Sequence, residues 1–298
     1  MMASENLRSF VRQCIPPILL PLVKSSLNRF RKSKGSSQEG TAELDALQKA
    51  FRCLNKDAQD NEVMFREHLN FVIHPDSRVP FEMFCFRSPE MVEEMDAFIA
   101  ETKGRHCLLD VGALHGIFSL VFAAMNRERK VVAVEPSPIA FSKLLYNVRK
   151  NDLESNIVAH EVALSSTPGK LQMYYQWEHS VAVPLSEPGG SISVEKIPGD
   201  ILCGKMAFKP DVIKIDVEGH ELKVINGLIQ TIRVMKPLLF LELHPEMIRR
   251  ENDHLSDLVT LFENAGYRGK KLNGQAIKLG ELRDLHAITR IILEPHRV

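Results

Sequence analysis

The stretch Leu108-Leu-Asp-Val-Gly-Ala-Leu-His-Gly116 decides the fold. It reads as a buried β-strand, then an acid, a turn with two glycines and an apolar helix that begins near Ile117. A second strand, Val131-Val-Ala-Val-Glu135, ends in one carboxylate, about 25 residues after Asp110. This order is typical of half a nucleotide-binding βαβ unit, whose glycines let a ligand approach and whose carboxylate binds ribose hydroxyls. The two stretches predict a nucleoside-containing cofactor.

The spacing of the glycines narrows the cofactor. A dinucleotide turn has the pattern G-x-G-x-x-G, but aligned on Gly112 this chain has Leu114 and Ile117 at the next two glycine positions. The Leu114 side chain would clash with a pyrophosphate, which argues against NAD and FAD, and the P-loop pattern G-x-x-x-x-G-K-[ST] is missing. The remaining pattern, D-x-G-x-x-x-G followed by an acid, favours a cofactor without phosphates such as S-adenosylmethionine (SAM).

From His106 onwards, apolar strands alternate with helices, a pattern typical of a parallel sheet with helices on both faces. The predicted strands are Cys107–Val111, Val131–Glu135, Ile157–Val162, Val212–Asp216, Leu238–Leu243 and Thr289–Leu293, with a short extra strand at Lys170–Tyr175. The predicted helices are Ile117–Met125, Ile139–Asn151, Glu221–Thr231 and Asp253–Ala265. Pro184–Gly204 is rich in Gly, Pro and Ser and is predicted to be a mobile loop.

Three segments are predicted along the chain. Residues 1–40 form a basic tail with no acid between Asn6 and Gln38, and a flexible tail, a membrane-peripheral segment and a cleaved targeting peptide all remain open for it. Residues 41–104 are predicted to be a helical cover, with helices at Thr41–Asn55 and from Ser88, that either packs on the sheet or faces the substrate. Residues 105–298 are predicted to be the SAM-binding domain.

Composition bears on partners and compartment. The net charge is zero, which provides no overall attraction to nucleic acid. The five cysteines include no C-x-x-C pair, which indicates reduced thiols and argues against a cysteine zinc site. No apolar run approaches the ~18 residues of a membrane span. We therefore expect a cytoplasmic protein whose membrane association, if any, involves residues 1–40.

Five stretches resemble, in order, the successive motifs of the FkbM family of SAM-dependent methyltransferases. They are Asp110–Gly116, Val132–Pro138, Glu161–Ser165, Asp211–Gly219 with Glu221, and Glu242–Pro245. The resemblance implies an α/β fold of the class I (Rossmann-like) methyltransferases, with a seven-stranded, mostly parallel sheet whose last strand is antiparallel. It also implies methyl transfer from SAM to a hydroxyl oxygen of a small-molecule, sugar or lipid-linked acceptor.

The same resemblance implies which residues contact the cofactor. They are Asp110, Gly112, Ala113 and Gly116 at the methionine part, Glu135 and Pro136 at the ribose, Glu161, Val162 and Ala163 at the adenine, and Asp216 at the methyl-transfer site. One position departs from the family, which usually has Asn where this chain has Leu114. Because Leu114 removes a polar contact to SAM, a non-catalytic SAM-fold binding or scaffold protein stays open as an alternative.

Acids and histidines are concentrated at the ends of the fourth and fifth predicted core strands, in Asp216-Val-Glu-Gly-His-Glu221 and Glu242-Leu-His244. An alcohol acceptor needs a base, and histidine titrates closest to neutral pH. We predict His244 or Asp216 as the base, with Glu218 and His220 shaping the site. Structural hydrogen bonds by the histidines, and a contact between Asp216 and the SAM amino group, are alternative roles.

Two further alternatives concern a metal and the acceptor. Asp216, Glu218, His220, Glu242 and His244 are suitable metal ligands, although the prediction assigns no metal. A nucleic-acid methyltransferase is less favoured, because Val-Glu-Gly follows Asp216 where enzymes that methylate base amino groups commonly have [DN]-P-P-[YFW]. The oligomeric state is not predicted.

Overall fold

A computed structural model describes residues 62–65, 69–176, 179–181 and 191–296. The basic tail and the predicted helix Thr41–Asn55 lie outside these residues. The strands are β1 (Glu62–Phe65), β2 (Leu69–Val72), β3 (Cys107–Val111), β4 (Lys130–Val134), β5 (Ile157–His160), β6 (Ala163–Leu164), β7 (Gly169–Gln176), β8 (His179–Val181), β9 (Ser191–Ile197), β10 (Val212–Ile215), β11 (Leu238–Leu243), β12 (Tyr267–Lys270), β13 (Ala276–Ile277) and β14 (Thr289–Pro295).

The helices cover both faces of the main sheet. They are α1 (Arg78–Glu82), α2 (Pro89–Glu101), α3 (Ile117–Met125), α4 (Pro138–Lys150), α5 (Gly199–Met206), α6 (Glu221–Gly227), α7 (Ile229–Met235), α8 (Pro245–Arg250) and α9 (Leu255–Asn264). Buried apolar residues of α2, α3 and α4 form one core with the sheet, and those of α5 to α9 form a second. Among the helices that the structure describes, none combines the length and the apolar character that a membrane crossing requires.

The main sheet confirms the predicted α/β class. Its strand order is β13-β12-β14-β11-β10-β3-β4-β5, in which β3, β4, β5, β10 and β11 are parallel. β14 lies antiparallel between β11 and β12, as the resemblance implied. The predicted number of seven strands is wrong by one, because after a turn at Gly274 the chain adds the two-residue strand β13 to the edge of β12. All four residues of β10 and all six of β11 are buried, which explains their continuous apolar sequences.

The prediction of a mobile loop over Pro184–Gly204 is wrong for residues 191–204. Residues 191–197 form β9, and residues 199–206 form α5. β9 belongs to a separate four-stranded sheet of order β6-β9-β7-β8, and its Val194 is buried with Met173 and Ala163. The alternation in Ser191-Ile-Ser-Val-Glu-Lys-Ile197 is the signal of a half-buried strand, which the glycines and prolines just before it concealed.

The predicted helix Glu221–Thr231 is two helices, α6 and α7, which meet at Leu228. The interruption follows Gly227, whose backbone approaches another part of the chain closely. A Cβ at this position would stand 2.0 Å from the carbonyl oxygen of Ser165. Glycine is a poor residue inside a helix, but here the close approach requires it.

The N-terminal cover packs on the sheet, although its described part is only partly helical. β1 and β2 pair antiparallel, and the Val72 N–H of β2 donates to Asn151 Oδ1 at the end of α4 at 2.9 Å. α2 begins after Ser88, whose hydroxyl accepts from the Met91 N–H as predicted for an N-cap. Its fully buried Phe98 lies 5.1 Å from the ring of Phe240 on β11, measured between centroids. These contacts favour the alternative in which the N-terminal cover packs on the sheet over the one in which it faces the substrate.

Candidate active site

The turn between β3 and α3 is shaped by two glycines in the left-handed region. Gly112 has a φ of 79° and Gly116 a φ of 86°. A Cβ on Gly112 would stand 1.9 Å from the carbonyl oxygen of Asp216, and a Cβ on Gly116 would stand 2.3 Å from Leu144 Cδ1. The glycines therefore accommodate the end of β10 and the helix α4, which are protein neighbours rather than the ligand that the sequence suggested.

Glu135 joins this turn to the end of β4. Its Oε2 accepts from the backbone N–H of Leu114, and its Oε1 accepts from that of Ser137, both at 2.8 Å. Burial raises the pKa of Glu135 to about 7, against the lowering effect of these two hydrogen bonds. The carboxylate is therefore fixed at the carboxyl edge of the sheet, where open α/β sheets bind ligands.

Leu114 lies in the same turn with a φ of 50°, a conformation that costs a β-carbon-bearing residue energy. Asparagine tolerates this conformation better than leucine. The backbone therefore supplies a reason, besides any polar contact to a cofactor, for the Asn that the resemblance expects here.

The other predicted cofactor residues flank Glu135. Asp110 is buried, accepts a 2.6 Å hydrogen bond from the Ser119 hydroxyl, and has its pKa raised to about 6 by burial. Ala113 is buried in the turn, and Pro136 is half-buried directly after Glu135.

The residues predicted to contact the adenine also lie close to Glu135. The Glu135 N–H donates to the His160 carbonyl at 3.1 Å, so the chain from Glu161 to Ala163 starts beside it. Across this stretch the exposure falls: Glu161 is exposed, Val162 half-buried and Ala163 buried.

A buried ion network lies beneath the ends of β10, β11 and β14. Lys214 Nζ lies 3.3 Å from Asp216 Oδ2 and 3.4 Å from Glu94 Oε1 of α2. Arg290 of β14 lies 2.9 Å from Glu94 Oε2 and 2.6 Å from Glu242 Oε1. The carboxylate of Glu94 therefore connects the N-terminal helix α2 to both cations.

Asp216 and Glu242 share this environment but differ in charge. Burial acts to raise the pKa of Asp216, but the charges of Lys214, His244 and Arg290 keep it below its ordinary value. Burial, followed by the charge of Asp216, raises the pKa of Glu242 to about 8. At neutral pH the Glu242 carboxyl therefore keeps its proton, and its interaction with Asp216 adds to the lowering of the Asp216 pKa.

His244 is held between two glutamates. Its Nδ1 lies 2.6 Å from Oε1 of the fully buried Glu221, and its Nε2 lies 3.3 Å from Glu218 Oε2. Burial alone would lower the pKa of His244, but the hydrogen bond that Nδ1–H donates to Glu221 and the charge of Glu218 raise it to about 9. The imidazole is therefore protonated at neutral pH, which disfavours the predicted role of His244 as the resting base.

The other predicted histidine, His220, contacts a different set of residues. Its Nε2 lies 3.0 Å from the Ser165 hydroxyl, and its Nδ1 lies 3.9 Å from Glu251 Oε2. Burial lowers the pKa of His220 to about 4, so the ring is neutral. The structure therefore brings Asp216, Glu218, Glu242 and His244 together but does not join His220 to them.

Three of the predicted residues are close enough to share one ion. Asp216, Glu218 and His244 each offer a ligand atom, and these atoms all lie within 4.8 Å of one another. Glu218 has a φ of 50°, and a Cβ on the following Gly219 would stand 2.5 Å from Met247 Cβ. The tight turn after β10 thus directs the Glu218 carboxylate towards His244.

Sequence reasoning assigned no role to four charged residues of this site: Glu94, Lys214, Glu221 and Arg290. Lys214 carried the clearest signal, because a cation inside an apolar, doubly covered strand requires buried acidic partners. Glu94 and Arg290 lie 196 residues apart in the sequence, and no local pattern connects them.

Comparison with known proteins identifies the family. The family model described as the methyltransferase FkbM domain matches residues 110–268, more than half of the chain. The chain belongs to the FkbM methyltransferase family. The match begins at Asp110 and ends in β12, so it contains the glycine turn, Glu135 and the ends of β10 and β11.

Individual relatives of this FkbM-family chain are distant. Methyltransferase sdnD of Sordaria araneosa is 29% identical over 44% of this chain and 63% of its own length. Hexuronic acid methyltransferase AglP of Haloferax volcanii is 27% identical over 49% of this chain and 59% of its own length. The chain thus spans less than two thirds of these relatives. The crystal structure of methyltransferase FkbM from Methylobacillus flagellatus is 19% identical, with a TM-score of 0.40 over 64% of this chain and 43% of that chain.

Proposed function

We propose that this protein is an SAM-dependent O-methyltransferase. The observation that carries the proposal is the position of the Glu135 carboxylate at the carboxyl edge of the parallel sheet, beside the glycine turn. The acid and histidine group of Asp216, Glu218 and His244 lies at the ends of β10 and β11 on the same edge. The proposed nucleoside site and the proposed reaction site therefore lie on the same edge of the sheet, the edge where open α/β sheets bind ligands.

Each part of the cofactor has a complementary group in the described residues. SAM supplies a methyl group already activated on a sulfonium. The Glu135 carboxylate would accept hydrogen bonds from the ribose hydroxyls, and Glu161 to Ala163 would border the adenine. Asp110 and the turn from Gly112 to Gly116 would border the methionine part.

Asp216 is the proton acceptor that we favour. Its pKa is held low by Lys214, so it is ionised when an alcohol binds, whereas His244 is protonated. A weak base is sufficient, because the acceptor oxygen becomes strongly acidic as its bond to the methyl group forms. The main task of the protein is then to place the hydroxyl in line with the sulfonium and to exclude water.

Binding of SAM is tested by isothermal titration calorimetry with the wild-type protein and Glu135→Ala. We expect the variant to bind at least ~100-fold more weakly, since two hydrogen bonds to a charged group are worth about 3 kcal/mol or more. Glu128→Ala is the matched control, because Glu128 is exposed in the loop before β4. The absence of SAM binding by the wild-type protein, or equal binding by Glu135→Ala, would refute the proposed function.

We propose that the acceptor enters through a groove beside Arg290. The groove has a volume of about 460 Å³, and its walls include Lys271, Leu272, Ile277, Leu285, Ile288 and Arg290. Thr289, which also lines the groove, pairs with Leu243 at the carboxyl end of β11, one residue before His244. Its mixed walls suit a small molecule with an apolar part and several polar groups, and the hexuronic acid named for AglP is one example of a hydroxylated acceptor.

The groove is tested with labelled SAM and a panel of hydroxylated sugars, sugar acids and lipid-linked glycans. Once an acceptor is found, Ile288→Asp should raise its KM by about tenfold or more while SAM affinity stays unchanged. Ile288 is 48% exposed, and Val234→Asp, at an exposed apolar residue of α7, is the control. An unchanged KM in Ile288→Asp would remove the groove from the proposal.

A non-catalytic SAM-binding protein is the second candidate, and Leu114 is the observation that favours it. Incubation of a cell extract with labelled SAM and the wild-type protein separates the two candidates. A product heavier by one CH₂ that requires the protein excludes the non-catalytic alternative, whereas SAM binding without any product supports it.

Cytoplasmic location and peripheral membrane contact through residues 1–40 remain proposals. The basic residues of that tail, interleaved with apolar ones, would favour anionic lipid surfaces. We do not expect nucleic acid as a partner, given the zero net charge.

A further inference from the structure

We propose that Asp216, Glu218 and His244 bind one divalent metal cation, which contacts the acceptor hydroxyl. The proposal rests on the proposed methyltransferase function for its purpose, but the geometry is independent of it. Two carboxylate oxygens and one imidazole nitrogen form a mixed donor set that suits Mg²⁺, Mn²⁺ or Zn²⁺. Three protein ligands leave coordination positions open for a substrate.

The distances fit a shared ion. Ligand atoms about 2.1 to 2.2 Å from one cation are separated by roughly 3.1 Å when adjacent and by roughly 4.4 Å when opposite. His244 Nε2 lies 3.3 Å from Glu218 Oε2, and all three ligand atoms lie within 4.8 Å. Contraction by a few tenths of an ångström would therefore close the site.

Glu221 orients the histidine for this role. Metal-binding histidines usually donate the other ring N–H to a carboxylate, which fixes the ring and its tautomer. His244 Nδ1 lies 2.6 Å from Glu221 Oε1, and this arrangement directs Nε2 towards Glu218. Glu221 is fully buried, and among the described residues its Oε2 has no hydrogen-bond partner.

The formal charge of the surrounding residues also favours a cation. Glu94, Asp216, Glu218 and Glu221 contribute four formal negative charges beside the protonated Glu242, whereas Lys214 and Arg290 contribute two positive charges once a metal replaces the Nε2 proton of His244. Within this described cluster the excess is two negative charges. A group of buried or half-buried carboxylates with such an excess is costly to form, and a dication would offset it.

The cation would contact the acceptor hydroxyl rather than the cofactor. Contact with the hydroxyl oxygen lowers the pKa of that hydroxyl. A lone pair of this oxygen forms the new O–CH₃ bond, and the electron pair of the broken S–CH₃ bond stays on sulfur, which gives S-adenosylhomocysteine. The hydroxyl proton passes to the second oxygen of Asp216 and then to water, so atoms and charge balance.

The test is Mn²⁺ binding to the chelator-treated full chain, followed by electron paramagnetic resonance of free Mn²⁺. We expect one site per chain in the wild-type protein, and at least a tenfold loss of affinity in Asp216→Asn and Glu218→Gln. Glu221→Gln, which does not contact the ion, should weaken binding by about 10- to 100-fold. The controls are Glu246→Gln and His254→Gln, both exposed residues outside the cluster, which should bind as the wild type does.

Folding and cofactor binding are measured on the same samples. Thermal unfolding shows which variants remain folded. Glu218 is 27% exposed and pairs with His244, whereas Asp216 also pairs with the buried Lys214, so replacement of Glu218 should disturb the fold less than replacement of Asp216. Absence of Mn²⁺ binding in the wild type, or equal affinity in folded Glu218→Gln, overturns the cation site. If the protein does not bind Mn²⁺ at this site but still binds SAM and transfers its labelled methyl group, the proposed function stands and only the proposed cation site is refuted.

Discussion

The two sides of the site are held together by different means. On the β3–β4 side, the backbone provides the structure, because Gly112 and Gly116 permit close approaches and Glu135 accepts from two main-chain N–H groups. On the β10–β11 side, ion pairs between side chains provide it, and Lys214 and Arg290 are central to them. The first side depends on spacing within about 25 residues, whereas the second joins residues up to 196 apart.

This difference predicts different responses to substitution. The loss of one ionic side chain on the β10–β11 side leaves its buried partners unpaired, which destabilises the whole domain. On the β3–β4 side, replacement of Glu135 or Leu114 alters cofactor binding or relieves local backbone strain, and its effect on stability is smaller.

The largest effect is expected for Lys214→Met. This substitution leaves Glu94 and Asp216 without their shared buried cation, and we expect the free energy of unfolding to fall by about 3 to 5 kcal/mol. Urea unfolding followed by circular dichroism measures it. The control is Lys130→Met, because the Lys130 side chain is exposed and bonds to the Ser155 carbonyl at 2.9 Å rather than to a buried carboxylate of the described residues.

The double variant Lys214→Met with Glu94→Gln sharpens the comparison. If the two residues act as one network, the double variant should lose clearly less stability than the sum of the single variants. A loss below about 1 kcal/mol in Lys214→Met would contradict the description of this side as an ionic network.

The same contrast explains how much the sequence could predict. Asp110, Gly112 and Glu135 were recognisable because a strand, a glycine turn and an acid follow each other at fixed spacing. Glu94 was not recognisable as a site residue, because the sequence of α2 shows only helical periodicity and the partner of Glu94, Arg290, lies far away on β14. The pKa of His244 was also beyond the sequence, since the fully buried Glu221 reverses the effect of burial. β9 was missed because a Gly- and Pro-rich stretch precedes it.

An effect of intermediate size, smaller than that of Lys214→Met, is expected for the pH dependence of SAM affinity. The pKa of Glu135 is raised by burial to about 7, and only the ionised carboxylate accepts from both ribose hydroxyls. The affinity for SAM should therefore fall by about tenfold between pH 8 and pH 6, as one pKa unit corresponds to about 1.4 kcal/mol. Calorimetry at pH 8 and pH 6 measures this change in SAM affinity. In Glu135→Gln the contribution of Glu135 to the pH dependence should disappear, and only the contribution from the titrating groups of SAM itself should remain.

The free energy of unfolding of the cofactor-free protein should depend on the ionisation of Glu135 in the opposite direction to the SAM affinity. Because the folded pKa lies above the ordinary value, the folded protein binds this proton more tightly than the unfolded chain does. The resulting stabilisation is complete below the ordinary pKa and is lost as the pH rises through about 7. The thermal shift caused by SAM should thus be larger at pH 8 than at pH 6, and an equal shift at both values would contradict the position of Glu135 in the cofactor site.

The smallest effect is expected at Leu114, where the backbone side of the site is strained. Leu114→Asn and Leu114→Gly should each raise the free energy of unfolding by about 1 kcal/mol, because both residues tolerate a φ of 50° better than leucine does. Thermal unfolding measures this gain, and calorimetry with SAM separates strain from contact. Tighter SAM binding in Leu114→Asn alone would show that the amide contacts the cofactor, and equal tightening in both variants would assign the effect to the backbone. Lower stability in Leu114→Gly would mean that burial of the half-exposed leucine outweighs the strain, and that this side of the site depends on side-chain packing as well.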